Sequence, residues 1–176
     1  SINAGVTAIQ ELALLHHFEV FWTEDAGRVM NDHWLKGYDV VIFLLTTGDI
    51  LNDEQQAAFE RYINNGGGFV GIHSASDTEY EWDWYTKMVG HMFHIHPAVQ
   101  TAVINVEDPN FPGMDRFAPK FIFTEEWYEF DAPRTDDLNY LLSVDERTYL
   151  PAAHWGVKKG DGMGAAAQGR NTAHQK

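Results

Sequence analysis

The sequence contains no cysteine. That excludes a thiolate nucleophile, structural thiolate zinc and disulfide bonds. It leaves the compartment undecided, since a cysteine-free chain suits the cytosol as well as the periplasm or the exterior. Long apolar runs are missing too. No stretch approaches the roughly 20 residues needed to span a bilayer, and no signal-like N-terminus is read. The chain does not begin with Met, so an earlier leader stays open. Positive charge is scarce: 12 Lys and Arg stand against 26 Asp and Glu, a formal net charge of -14. Such a surface repels nucleic acid and anionic membranes, and neither is expected as a partner.

What is present suits a globular core. The 176 residues are 44% hydrophobic, enough for one domain, and no repeat or linker interrupts them. We therefore read residues 1–176 as a single α/β domain. Aromatics reach 14%, with six Trp; they serve either a core or a platform for sugar rings. Residues 160–176 are rich in Gly, Ala, Gln and Lys without periodicity, which predicts partial disorder or an incompletely recorded segment.

Apolar spacing predicts a helix over 2–15 and a strand over 17–22, then a short helix over 32–35. Residues 38–45 (YDVVIFLL) read as a buried strand. Asn52 followed by Gln55 is a capping box opening a helix. The glycines at 66–68 stop that helix, and residues 68–73 form a second buried strand, apolar on both faces. Residues 38–75 are thus one β-α-β unit with parallel strands. Beyond it we expect a helix over 82–92 ended at Pro97, strands over 99–106, 121–123 and 138–144, and a surface loop over 107–119.

Gly66, Gly68 and Gly71 satisfy G-x-G-x-x-G, but they follow a helix and open a strand, so a dinucleotide site is rejected. Chemistry is instead expected at the carboxyl ends of the strands, where open α/β sheets bind ligands. His73, Ser74 and Asp77 follow one such strand, Thr46 and Thr47 another, and Glu126 a third ending at 123. Ser74 lacks the flanking glycines of G-x-S-x-G and needs a base in reach to act as a nucleophile. Asp77, Glu79, Glu125 and Glu126 are acid/base candidates, because two carboxylates facing one cleft push their pKa values apart. A solvated rim is the competing reading for Glu79 and Glu129. Trp82, Trp84, Trp127 and Tyr128 suit a sugar platform, with core packing the rival for Trp84 and Trp127. His91, His94 and His96 lie within six residues, the first two on one helical face and the last two on one strand face. With His73 and a glutamate they could hold a divalent metal, although no strict metal spacing is present. The alternative is loop histidines, one of them buried by hydrogen bonds.

The segments at 38–85, Phe93 to Pro97, Thr124 to Tyr128 and Val144 to Tyr149 resemble the ThuA-like family, named for trehalose utilisation. The resemblance implies the class I glutamine amidotransferase fold, a flavodoxin-like, doubly wound, mostly parallel sheet with helices on both faces. It also implies a link to sugar metabolism, often as a hydrolase or other sugar-processing enzyme. In that fold the nucleophilic cysteine sits where this chain has His73-Ser74-Ala75, so glutamine hydrolysis by the usual route is not supported. The family usually opens with a strand ahead of the helix over 2–15 and closes with histidine-bearing strands; here the opening strand is absent, and of the closing region only Gly162-Met163-Gly164 matches the approach. The resemblance favours His73 and His96 as base or metal ligands. The reading is a carbohydrate-processing enzyme: His73 or His96 as base or ligand, Glu126 as acid, Ser74 and Asp77 beside them. Thr46, Thr47, Trp127 and Tyr128 would contact the sugar. The alternatives are a sugar-binding module without catalysis and a partner-binding domain using residues 79–85. A small carbohydrate is the expected partner, with self-association left open.

Overall fold

The computed structural model describes residues 1–155; the expectation for residues 160–176 lies outside them. The chain divides into two compact units, Ser1–Tyr85 and the described residues from Thr86 onward.

In the first unit, Ser1 caps α1 (Ile2–His16), and His17 ends it in a left-handed conformation. The strand expected over 17–22 does not form. Those residues have no partner strand among the described residues, and a lone strand leaves its backbone groups unpaired. Two single-turn helices follow, α2 (Ala26–Val29) and α3 (Asp32–Leu35), each capped by the side chain before it. Then come β1 (Val40–Leu44), α4 (Asp53–Asn64) and β2 (Gly68–Ile72). The capping box is present: the Asn52 side chain accepts from Gln55 N, and the Gln55 side chain accepts from Asn52 N. β1 and β2 pair in parallel, Val40 opposite Gly68 through Leu44 opposite Ile72.

One face of this pair is closed by aromatics. Phe43 stacks on Phe59 of α4 at 5.4 Å and meets Phe69 edge-on at 5.3 Å. Tyr85 completes the cluster, 5.9 Å from both Phe43 and Phe69. Phe59 and Tyr85 are fully buried. Tyr85 arrives on α5 (Asp83–Val89), where the unit ends. Trp84 stands edge-on to Phe59 and stacks on Trp82. The other face is less covered than the apolar runs predict. Val40, Ile42 and Val70 remain 47%, 38% and 43% exposed, so these strands are not buried on both faces. α1 packs near Leu44, where a Cβ on Gly5 would lie 2.9 Å from Leu44 Cδ1.

In the second unit the helix expected over 82–92 stops early, because Gly90 turns the chain with φ +88°. β3 (Phe93–Ile95) then replaces the predicted helix end. β4 (Gln100–Val106) pairs antiparallel with β5 (Lys120–Glu125), and also with β7 (Leu142–Val144). The short β6 (Glu129–Phe130) pairs antiparallel with β3. Alternation along β4 buries Ala102 and Ile104 against Val144 and Tyr149, with Phe121 and Trp127 packed on them.

These pairings overturn the expected flavodoxin-like, mostly parallel sheet. The fold is a mixed α/β arrangement of small sheets, and among the described residues only β1 and β2 run parallel. The physical reason lies in the connections. A parallel pair needs a crossover, usually helical, whereas β4 reaches β5 through a loop holding only a 3-10 turn at Met114–Arg116. β4 also alternates, as a strand with one buried face does.

Asp145 fastens the end of β7. It caps the 3-10 turn at Glu146–Thr148, and its backbone N–H donates to Val103 O at 2.8 Å. Thr148 Oγ1 accepts from Val103 N at 2.9 Å. The carboxylate accepts from Arg147 Nε at 2.8 Å and Nη2 at 2.7 Å. These bonds, with one from Arg147 N, hold its pKa down to about 2 from an ordinary 3.8.

Two outcomes follow. Phe59→Ala should cost about 3–5 kcal/mol in chemical denaturation, whereas Ile122→Ala, at a position 72% exposed, should change stability by less than about 0.5 kcal/mol. The Asp145 carboxyl is depressed in the folded state, so its contribution is complete above its unfolded pKa and is lost as pH falls from 3.8 towards about 2. In Arg147→Ala, the carbon-13 titration midpoint of that carboxyl should move up towards 3.8.

Candidate functional site

At the carboxyl end of the parallel pair both strands leave through a left-handed residue, Leu45 (φ 55°) and His73 (φ 57°). Such a conformation in a side-chain-bearing residue costs about 1–3 kcal/mol and must be held by its surroundings. The hold is visible. Gly48 bridges to Thr78 in parallel register, its N–H donating to Asp77 O at 2.8 Å, and Glu79 N donates back to Gly48 O at 3.1 Å. The strand pairing is thereby continued past the two bends.

This continuation brings together several predicted residues. Thr78 donates its hydroxyl to Ser74 O at 3.1 Å, so Thr46 donates to Thr78 Oγ1 at 2.9 Å. Thr47 donates to Asp77 Oδ2 at 2.5 Å, and Tyr80 donates to Asp77 Oδ1 at 2.6 Å. Both Asp77 oxygens are therefore engaged, which makes Asp77 an anchor for two hydroxyls. His73 is exposed at the start of the 3-10 turn His73–Asp77. Among the described residues the Ser74 hydroxyl makes no hydrogen bond, so no base is poised on it.

Glu79 is not on a solvated rim. It is 1% exposed, and Oε1 accepts from Ile50 N and Leu51 N, both at 2.7 Å. Oε2 accepts from Gln56 Nε2 at 2.7 Å. The carboxylate thus sits at the positive end of α4, where donors and dipole both favour a negative charge. Glu129, also assigned to the rim, is 2% exposed and accepts from Ala152 N at 2.6 Å. Neither could be recognised from the sequence, because nothing in a local run tells a carboxylate that points inward to backbone donors from one in water.

The second unit holds the other group of predicted residues. His96 Nδ1 lies 2.9 Å from Pro97 O; a carbonyl only accepts, so Nδ1 carries a proton. The other nitrogen, Nε2, faces Glu126 Oε1 at 3.3 Å. A hydrogen bond across that gap requires one proton, on the imidazole or on the carboxyl. The two side chains are 22% and 26% exposed, so the pair is sheltered yet reachable. Tyr128 lies nearly parallel to the imidazole, centroids 6.0 Å apart, and packs on Phe93 at 4.2 Å. Glu125 is turned back on its own chain, accepting from Glu126 N at 2.9 Å.

Other candidates are committed elsewhere. Trp127 donates its indole N–H to Gln100 O at 2.8 Å and packs against the core of β4 and β7. His91 is the histidine buried by hydrogen bonds, between Asp131 O at 3.0 Å and the Tyr140 hydroxyl at 2.7 Å. Burial holds the Tyr140 phenol above its usual range. His91 and His94 do not share a helical face, since β3 begins at Phe93. Among the described residues no three His, Asp or Glu side chains converge as metal ligands. His96 and Glu126 offer two donors where a protein-bound ion usually takes three or four. Tyr80 and Phe93 enter the arrangement unpredicted; aromatics beside a polar turn were the only signal.

Two solved structures share the fold. A ThuA-like protein from Bacteroides uniformis is 26% identical over 84% of this chain, with a TM-score of 0.73. A ThuA-like protein from Parabacteroides merdae is 18% identical over 71% of it, with a TM-score of 0.59. The matches cover 62% and 55% of those chains, so this chain spans less than two thirds of either. The sequence model of the ThuA family, described as trehalose utilisation, matches residues 1–168. No curated protein matches.

Replacing Glu79 with Ala strands the buried Leu51 N–H and the half-buried Ile50 N–H, at about 1–3 kcal/mol each. A loss of about 2–6 kcal/mol is expected in urea unfolding, together with faster amide exchange at Ile50 and Leu51.

Proposed function

We propose, from the premise that the chain belongs to the ThuA family, that it processes a carbohydrate, with Glu126 and His96 as the acid–base pair. The observation that carries this reading is the imidazole–carboxylate contact at 3.3 Å beside the Tyr128 ring. Its chemistry suits a glycoside or a keto-sugar. The one proton the pair shares can pass to a leaving oxygen, and the group that has released it can then accept a proton from water or from a sugar hydroxyl. Pro97 O fixes the imidazole, so Nε2 is the nitrogen that exchanges. Tyr128 offers an apolar face of the kind that stacks on a pyranose.

The bend after β2 carries a separate set of candidate groups. His73 is exposed in a strained conformation, which is what motivates a role for it as an alternative base or ligand. Thr46 and Thr47 would contact sugar hydroxyls, and Asp77 would orient Thr47. Ser74 is a weaker nucleophile candidate because no base is bonded to it, and Trp127 a weaker platform because its ring is packed. A hydrolase is the reaction class that the proton bookkeeping fits.

The test is turnover of trehalose and of its 3-keto derivative. Glu126→Gln and His96→Ala should each lower kcat/KM by about 10²–10⁴ with unchanged circular dichroism. Saturable sugar binding without turnover in the unmodified protein would select the binding-module alternative. Turnover unaffected by both substitutions would refute the assignment.

A further inference from the structure

Three residues link two strands that belong to different sheets. β5 ends at Glu125, paired with Gln100 of β4, and β6 begins at Glu129, paired with Ile95 of β3. Between them Glu126, Trp127 and Tyr128 lie outside any strand. Strand pairing therefore does not fix where their side chains point. Yet Glu126 and Tyr128 both approach His96, Glu126 at 3.3 Å from Nε2 and Tyr128 at 6.0 Å between rings. Trp127 goes elsewhere. Its ring packs on the β4 and β7 core beside Tyr149, and its indole N–H donates to Gln100 O at 2.8 Å.

We infer that Trp127 is a positioning residue, whose indole bond to Gln100 O sets the separation of Glu126 from His96. The inference rests on the reading of that pair as acid and base. Connectivity supplies the reason. His96 lies four residues before Gln100, and Glu126 lies directly before Trp127. Two short contacts, at 2.8 and 3.3 Å, therefore close a small ring through the chain between His96 and Gln100. In such a ring one contact does not lengthen freely while the other holds. The acceptor end is fixed as well. Gln100 Nε2 donates to Leu150 O and Gln100 Oε1 accepts from Leu150 N, both at 2.9 Å. Pro97, fully buried, stiffens the segment between His96 and Gln100. Proton transfer needs such a hold, because a misplacement of about 1 Å at a reacting group costs on the order of 10²-fold in rate. A phenylalanine at this position fills most of the same core, but it takes the donor from Gln100 O and frees the link to turn.

The test is nitrogen-15 spectroscopy of the His96 ring, alongside turnover of trehalose and its 3-keto derivative. Glu126→Gln should move the Nε2 resonance, since it removes the carboxylate facing that atom. Trp127→Phe should move the same resonance and lower kcat by about 10- to 100-fold, with KM changed by less than about twofold. In the Glu126→Gln background the same substitution should cost less than about twofold, because it acts through Glu126. Replacing Trp127 by its benzothiophene isostere removes only the N–H and should reproduce both effects, so poor packing of the smaller Phe does not decide the matter. The inference is overturned if the His96 resonances of the isostere coincide with those of the unmodified chain. It is overturned too if Trp127→Phe lowers kcat equally in both backgrounds. Failure of the acid–base reading has a different mark. There the His96 resonance still moves with Trp127, while neither sugar is turned over or Glu126→Gln leaves turnover unchanged; the positioning role then stands without the acid–base assignment.

Discussion

The first unit depends on one buried carboxylate. Glu79 gathers Ile50, Leu51 and Gln56 to its two oxygens, each contact 2.7 Å long. Those groups belong to the loop between β1 and the capped start of α4, so the carboxylate ties the segment after β2 to the segment after β1. A buried charge without such donors would be untenable by several kcal/mol. With them it becomes a strongly directional contact. The aromatic cluster below it supplies more burial, but stacked rings tolerate sliding in a way that three charge-assisted hydrogen bonds do not.

Order at the strand ends follows from that anchor. With Glu79 fixed, its N–H returns to Gly48 O and Asp77 O receives Gly48 N. The pairing of β1 with β2 then extends beyond both left-handed bends. Thr46 then bonds Thr78, which bonds Ser74 O, and Thr47 and Tyr80 each donate to one oxygen of Asp77. Side chains tied in this way are held in one arrangement by the fold itself.

Much of the first unit was legible. The capping box at Asn52, the glycine stop and the two apolar strands each rest on local physics, and the parallel pairing follows from the helix between them. What failed were inferences about partners outside the local stretch. The 17–22 segment alternates like a strand but has no strand beside it among the described residues, and Ile42 and Val70 are partly exposed where the apolar runs predict cover. The sheet direction beyond residue 98 was taken from the resemblance, whereas alternation in β4 and the absence of a crossover helix already favoured antiparallel pairing. Among site residues, His96 was legible as a family-like position and Glu126 as the acid that leaves a short strand just before Trp127 and Tyr128. The inward turn of Glu79 and Glu129 was hidden, because solvation of a carboxylate is decided by distant backbone donors.

The left-handed bends at Leu45 (φ 55°) and His73 (φ 57°) are strained points of this scaffold. A bend costing about 1–3 kcal/mol in a residue with a side chain persists where the surrounding structure holds it. The bonds of Gly48 with Asp77 and Glu79 supply that hold. The turn after β2 is thereby part of the scaffold that fixes Thr46, Thr47 and Asp77, and it leaves His73 exposed at its start.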